Sequence, residues 1–336
     1  MKNLSLERLW VSLIDSPAFR RFERQGMGAQ LFRSRFFQQA SQLKNRLSTT
    51  LAVRSQPDLF RDVHTFVLFI GHNKSGTSLV GALLDALDAE ARRRGAILLK
   101  IEPGLGLDGA DFARLGFRPS PQTIQPPRTI VLDLSGDDEA ILARMNQGTR
   151  RNIRKSARFE VAIRQGTRDD VPRFNALLAE TGDRNEFGVH APDYYQRAYD
   201  LFAPEGRAAL TLGSYGGQDL AGVMVFRLGD WAWYFYGASS DRERQRMASY
   251  GVQWAGIQWA KAGGARYYDL YGVHDAGPQE LEAQFEARSD GLWGVYRFKR
   301  GWGGDVLRGA GAWDRVYRPA IYAAYRLAVR LLRRAE

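Results

Sequence analysis

The sequence predicts a mixed α/β (α+β) protein of two domains that uses one structural module twice, and three observations carry that expectation. Its 336 residues suffice for two domains of ordinary size. A hydrophobic content of 44%, with 12% aromatic residues, supplies cores for both. A helix followed by a strand over residues 250–273 is echoed by a helix and a strand over residues 80–101.

From the N-terminus, residues 1–65 read as a helical basic segment, with 11 Lys and Arg against 5 Asp and Glu. Residues 66–70 form an apolar run of strand length, far short of the ~20 residues that cross a bilayer. A helix over 80–94, a strand over 96–101, a short helix over 111–115 and a strand over 129–134 follow. Together they make an incomplete first module, residues 66–145, which lacks its front half.

The complete second module fills residues 146–310. Residues 159–164 alternate as a strand, and 169–181 read as a helix with Asp169 or Asp170 near its start. Strands over 208–215 and 220–228 form a hairpin, because Gly216 and Gly217 allow a tight turn between them. A strand over 231–237 precedes a helix over 250–262, whose apolar bulk comes from Val252, Ala255, Ile257 and Trp259. Then come a strand over 265–273, a helix over 278–287 and a final strand over 292–298, where large apolar and polar residues alternate. Lys299 would end that strand beside the glycine-rich Gly301-Trp-Gly-Gly304, where it can aim a positive charge at a reacting carbonyl. This order of strands and helices resembles the GNAT acyltransferase fold, here in tandem with the first copy incomplete.

Composition narrows the chemistry. The chain has no cysteine, which excludes disulfides, thiolate metal sites and cysteine nucleophiles and suits a reducing compartment. Its four histidines, His64, His72, His190 and His274, have no metal-ligand spacing, so no metal is expected. No uninterrupted apolar stretch marks a signal peptide, which places the protein in the cytoplasm. A net charge of +11 points to polyanionic partners: RNA, phosphorylated carriers or an anionic membrane surface.

Two segments concentrate that charge. Asn146-Gln-Gly-Thr-Arg-Arg-Asn-Ile-Arg-Lys-Ser-Ala-Arg158 holds five cations and no anion. Arg150, Arg154 and Arg158 recur every four residues on one helix face, with Arg151 and Lys155 beside them. A solvated face and a phosphate-binding face are both open to it; the absence of interleaved acids favours phosphate. Residues 314–336 read as a basic amphipathic helix. Ile321, Tyr325, Ala328, Val329 and Leu332 form its apolar stripe, and Arg326, Arg330 and Arg334 its polar face. It can pack on the domain or lie on the inner face of the plasma membrane.

From about residue 82 onward the chain resembles the Fem family of tRNA-dependent aminoacyltransferases, which add amino acids to the stem peptide of peptidoglycan precursors. The resemblance rests on Arg94-Gly-Ala-Ile-Leu-Leu-Lys-Ile-Glu-Pro103, Thr149-Arg-Arg-Asn-Ile-Arg-Lys-Ser156, Thr181-Gly-Asp-Arg-Asn-Glu-Phe187, Tyr236-Gly-Ala-Ser-Ser240, Tyr268-Asp-Leu-Tyr-Gly272 and Tyr296-Arg-Phe-Lys-Arg-Gly-Trp-Gly303. It implies that Lys299 stabilises an oxyanion, that Phe298 packs beside it, and that Arg184, Tyr236, Tyr268 and Asp269 serve substrate binding. It implies aminoacyl-tRNA as co-substrate, no bound cofactor, and a lipid-linked or nucleotide-linked muropeptide as acceptor. Acetyl-CoA enzymes of this fold usually carry a glycine-rich pyrophosphate loop before the central helix; Asp241-Arg-Glu-Arg-Gln-Arg-Met-Ala-Ser249 stands there without a glycine.

The front end resembles something else. Phe66-Val-Leu-Phe-Ile-Gly-His-Asn-Lys-Ser-Gly-Thr-Ser-Leu-Val80 is similar to the strand–loop–helix with which sulfotransferases hold the 5′-phosphate of the sulfate donor PAPS. Lys74, Ser75, Gly76, Thr77 and Ser78 would supply the charge, hydroxyls and amides. A plain strand-to-helix turn is equally open there. A junction near residues 82–87 would join the two resemblances. A PAPS-dependent sulfotransferase and a non-catalytic Fem-like fusion protein are thus the rival readings to an aminoacyltransferase.

Overall fold

The computed structural model describes residues 67–68, 77–93, 95–102, 105, 109–185 and 188–335. The expectations for residues 1–65 and for the loop residues Lys74, Ser75 and Gly76 lie outside the described residues; Thr77 and Ser78 open the first helix.

The chain divides into two units, one of residues up to Pro127 together with those from Arg308, the other spanning Arg128–Leu307. The first unit begins with β1 (Val67–Leu68), α1 (Thr77–Arg93), β2 (Leu98–Ile101), α2 (Gly109–Arg114) and β3 (Arg118–Pro119). The second runs through β4 (Arg128–Asp133), α3 (Asp138–Arg144), α4 (Gln147–Arg158), β5 (Ala162–Gln165), α5 (Val171–Asn185), α6 (Pro192–Phe202), β6 (Ala208–Tyr215), β7 (Gln218–Leu228), β8 (Trp231–Ser239), α7 (Ala248–Ala262), β9 (Tyr267–Asp269), α8 (Pro278–Gln284), α9 (Leu292–Arg300) and β10 (Asp305–Arg308). The chain then returns to the first unit with β11 (Trp313–Val316) and α10 (Pro319–Ala335).

The first unit's sheet has the order β1-β2-β11-β3, so a strand from the far end of the chain lies in its interior. β11 pairs antiparallel with β2 and sets Asp314 opposite Lys100. Their side chains form a buried ion pair of 2.8 Å. Tyr322 of α10 donates to the second Asp314 oxygen at 2.9 Å, while Lys100 also donates to Gln122 O at 3.0 Å and to Ser120 Oγ. Each buried charge therefore has partners, without which its desolvation would be prohibitive.

The second unit's sheet has the order β10-β4-β9-β8-β7-β6-β5. Its pairings are antiparallel from β5 to β8 and between β4 and β9, and parallel between β8 and β9. Gly216 and Gly217 both take positive φ (55° and 78°), which gives the expected tight hairpin. One face buries Val252, Ile257 and Ala260 of α7 with Trp293 and Tyr296 of α9; the other buries Phe174 and Leu178 of α5 with Tyr195 of α6.

Four expectations change. Residues 292–298 are not a strand but most of α9, since Trp293, Tyr296 and Lys299 are buried at helical spacing. The strand near 129–134 joins the second sheet through β9 rather than completing the first module, so the boundary falls at 127/128 rather than 145/146. The strand expected over 265–273 stops at Asp269, because Tyr271 and Gly272 adopt left-handed backbone (φ 54° and 56°). Residues 313–316 are strand, and the helix expected from 314 starts at Pro319.

Candidate active site

β8 continues to Ser239, but its pairing with parallel β9 ends at Trp233–Asp269. Beyond that point the two backbones part, and Lys299 approaches the departing segment from α9. The opening has a second cause within β8. Opposite β7, Met224 pairs with Tyr236 and Val225 with Tyr234, so Phe235 is an extra residue, a β-bulge. The bulge reverses the alternation: Ala232 and Tyr234 join the core that holds α9, whereas Phe235, Tyr236 and Ala238 join the core on the opposite face. Gly237 then falls over Tyr234, where an added Cβ would collide with the phenol hydroxyl and ring carbons. Only glycine leaves Tyr234 room to lie along the strand.

Lys299 is 7% exposed. Its ammonium donates to Gly272 O at 2.8 Å and to Tyr271 O, and it stands 5.6 Å from the centre of the Tyr234 ring. Two successive left-handed residues turn both carbonyls toward it. Asp269 holds that turn: its carboxylate accepts from the Tyr271 amide at 2.7 Å and from the Thr129 hydroxyl. Burial pulls the Lys299 pKa down to about 7, and the charge on Asp269 partly opposes the shift. An ammonium has three N–H donors, and two are spent on Tyr271 and Gly272. The third is left for a substrate oxygen, so the site can offer one charged donor where negative charge develops.

The remaining residues singled out in the sequence fall into separate places. Phe298 packs on Tyr250 and Trp302, with centroid separations of 5.2 and 5.8 Å, and so anchors the last turn of α9. Tyr268 is wholly buried and accepts from Gln253 Nε2 at 3.1 Å; it is part of the core. Tyr236 lies on the face of β8 opposite Tyr234, its hydroxyl 3.0 Å from that of Tyr194, and burial pushes both phenols up. Arg184 ties the end of α5 to the end of β8 through Ser239 O (2.9 Å), Ser239 Oγ and Asp241.

The basic helix α4 forms as expected, with the Asn146 side chain accepting from the Thr149 amide. Its five cations divide. Arg150 turns inward and donates to the carbonyls of Leu142, Ala143 and Met145 at the end of α3. Lys155 and Arg158 flank the Phe159 ring at 5.3 and 5.4 Å. Arg151, Arg154 and Arg158 stay exposed and, among the described residues, make no ion pair.

Sequence reasoning did not find Tyr271, Gly272, Thr129, Tyr234 or Gly237. Tyr271 stands inside the resembling stretch Tyr268-Asp-Leu-Tyr-Gly272 but carries no sign of its own role, since a tyrosine in left-handed backbone looks like any strand residue. Gly237 and Gly272 were visible as glycines, but their purpose depends on neighbours distant in sequence.

Comparison with known proteins bears on this geometry. The FemAB family matches residues 105–216 and 212–330. Lipid II:glycine glycyltransferase of Staphylococcus saprophyticus is 23% identical, across 71% of this chain and 73% of that protein. The Staphylococcus aureus protein of the same name is 21% identical, across 74% of this chain and 75% of that protein. A crystal structure of FemX superposes with a TM-score of 0.67 at 18% identity, covering 81% of this chain and 85% of FemX, a likeness of fold.

Proposed function

This chain belongs to the FemAB family, and we propose that it is an acyltransferase that moves an aminoacyl group from aminoacyl-tRNA to the stem-peptide amine of a lipid-linked peptidoglycan precursor. The observation that carries the reading is the buried Lys299 at the parted end of β8 and β9, with one N–H unspent. The names of the matched staphylococcal proteins support lipid II as the class of acceptor. The tRNA donor rests on the exposed Arg151, Arg154 and Arg158, which suit backbone phosphates.

In the proposed reaction the acceptor amine attacks the ester carbonyl and forms a C–N bond. The carbonyl electrons move to oxygen, and the Lys299 ammonium donates to the resulting oxyanion. Collapse breaks the bond to the ribose oxygen, which leaves with the proton surrendered by the amine. A donor so placed is worth roughly 2–4 kcal/mol in the transition state, because it bonds the oxyanion better than the ground-state carbonyl. The protein needs no bound cofactor for this step.

The test is transfer itself. Purified protein, a tRNA pool charged with labelled amino acids and lipid-linked muropeptide should yield labelled muropeptide, with loss of label from tRNA. Label that stays on tRNA while the muropeptide remains unmodified would contradict the reading.

A further inference from the structure

Among the described residues, the last helix has two apolar sides and packs one of them. The inward stripe of α10 is Tyr322 (buried) with Tyr325 and Val329 (half-buried). The sequence placed Ile321 in that stripe, but the structure turns it out. Ile321 is 43% exposed and Leu327 is 59% exposed. Ala320 and Ala324 are exposed as well. At 100° per residue, Ala320, Ile321, Ala324 and Leu327 fall on a continuous outward strip. Arg326 and Arg330 are exposed along one border of that strip and, among the described residues, form no ion pair. Positions 333 and 334 add two further arginines, and no acid occurs in the sequence from 315 to 335.

We propose that this outward face of α10 docks on an anionic lipid bilayer, lying in the interface without crossing it. Charge complementarity selects the occupant. A protein partner would need acids to match the arginine row yet an apolar counterface beside them, and RNA has no use for exposed Ile321 and Leu327. A bilayer surface of anionic lipids offers both, acyl chains for the strip and phosphates for the arginines. Among the described residues no helix is long and apolar enough to span a membrane, so the contact is peripheral. Because α10 rests on Asp314 through the Tyr322 hydroxyl, the helix is held by its inward side while the outward side stays available. The inference does not depend on the aminoacyl-transfer reading.

Vesicle flotation tests it with the full chain. The protein should float with vesicles containing phosphatidylglycerol and remain behind with pure phosphatidylcholine. Leu327→Glu and Ile321→Glu together should weaken partition by roughly tenfold or more. Each of Arg326→Ser and Arg330→Ser should weaken it about fivefold, with steep loss at high salt. Leu327→Trp should retain binding and show a blue-shifted emission only with the anionic vesicles. All four positions point outward, so unchanged melting temperatures show that the variants fold. Equal binding to both vesicle types, or anionic binding unaffected by the Leu327→Glu and Ile321→Glu pair, would overturn the proposal. So would loss of tRNA binding in the arginine variants with vesicle binding unaltered.

Discussion

A lysine taken out of water with no carboxylate in direct contact costs the fold something, and Lys299 carries that cost. Its pKa stands near 7, against an ordinary value of 10.5. Between these limits the unfolded chain binds more protons than the folded one, so stability rises with pH across the window from about 7 to 10.5. Below 7 both states are protonated and the full penalty is present. Relative to Lys299→Met, the wild type should therefore gain on the order of 2 kcal/mol of stability between pH 7 and pH 9. Urea unfolding of both proteins at several pH values measures this; parallel curves would show that Lys299 is not desolvated as described. The same residue shows what was legible beforehand. The sequence marked Lys299 by its place beside Gly301 and Gly303, but Tyr271 and Gly272, which supply its hydrogen bonds, lie 28 and 27 residues earlier in the chain and carry no local sign of that role.

At the scale of elements, the site depends on a strand that changes faces and a helix that looked like a strand. Residues 292–298 alternate in polarity as well as repeating every third residue, and only tertiary burial of Trp293, Tyr296 and Lys299 decides between the two periods. The β8 bulge at Phe235 was equally hidden, because a bulge is a relation to the partner strand rather than a property of one. Gly237 is where the bulge can be tested. In Gly237→Ala the new methyl meets the Tyr234 ring, with Cζ at 2.5 Å and Cε2 at 2.6 Å, so even a Phe at 234 would clash. The variant should lose about 1–3 kcal/mol of stability, a typical cost of overpacking. Transfer should fall as well, since the Tyr234 ring shares the surroundings of Lys299. Thermal melting with a parallel transfer assay reads both effects. A Gly237→Ala protein of unaltered stability would mean that Tyr234 has another place to go.

At the scale of the whole molecule, the chain leaves its first unit at Pro127 and returns at Arg308. The hairpin and most helices were readable because their signals are local: paired glycines, an aspartate near a helix start and apolar periodicity. The return was not, because nothing in residues 313–316 announces that they pair with residues 98–101. The Lys100–Asp314 pair fastens that return, buried at both ends. Lys100→Met strands the Asp314 carboxylate and should cost about 3–5 kcal/mol, whereas adding Asp314→Leu should recover a large part. A double variant no more stable than the single would show that the pair contributes through its polar neighbours rather than its charges.

The central claim is that the Lys299 charge acts on the transition state of aminoacyl transfer. Single-turnover transfer from charged tRNA to lipid-linked muropeptide, comparing the wild type with Lys299→Ala, tests it most directly. The rate at saturating acceptor should drop roughly 10²–10³-fold while acceptor affinity and melting temperature stay close to wild type. A Lys299→Ala protein that folds, binds the acceptor and transfers at the wild-type rate would contradict the claim.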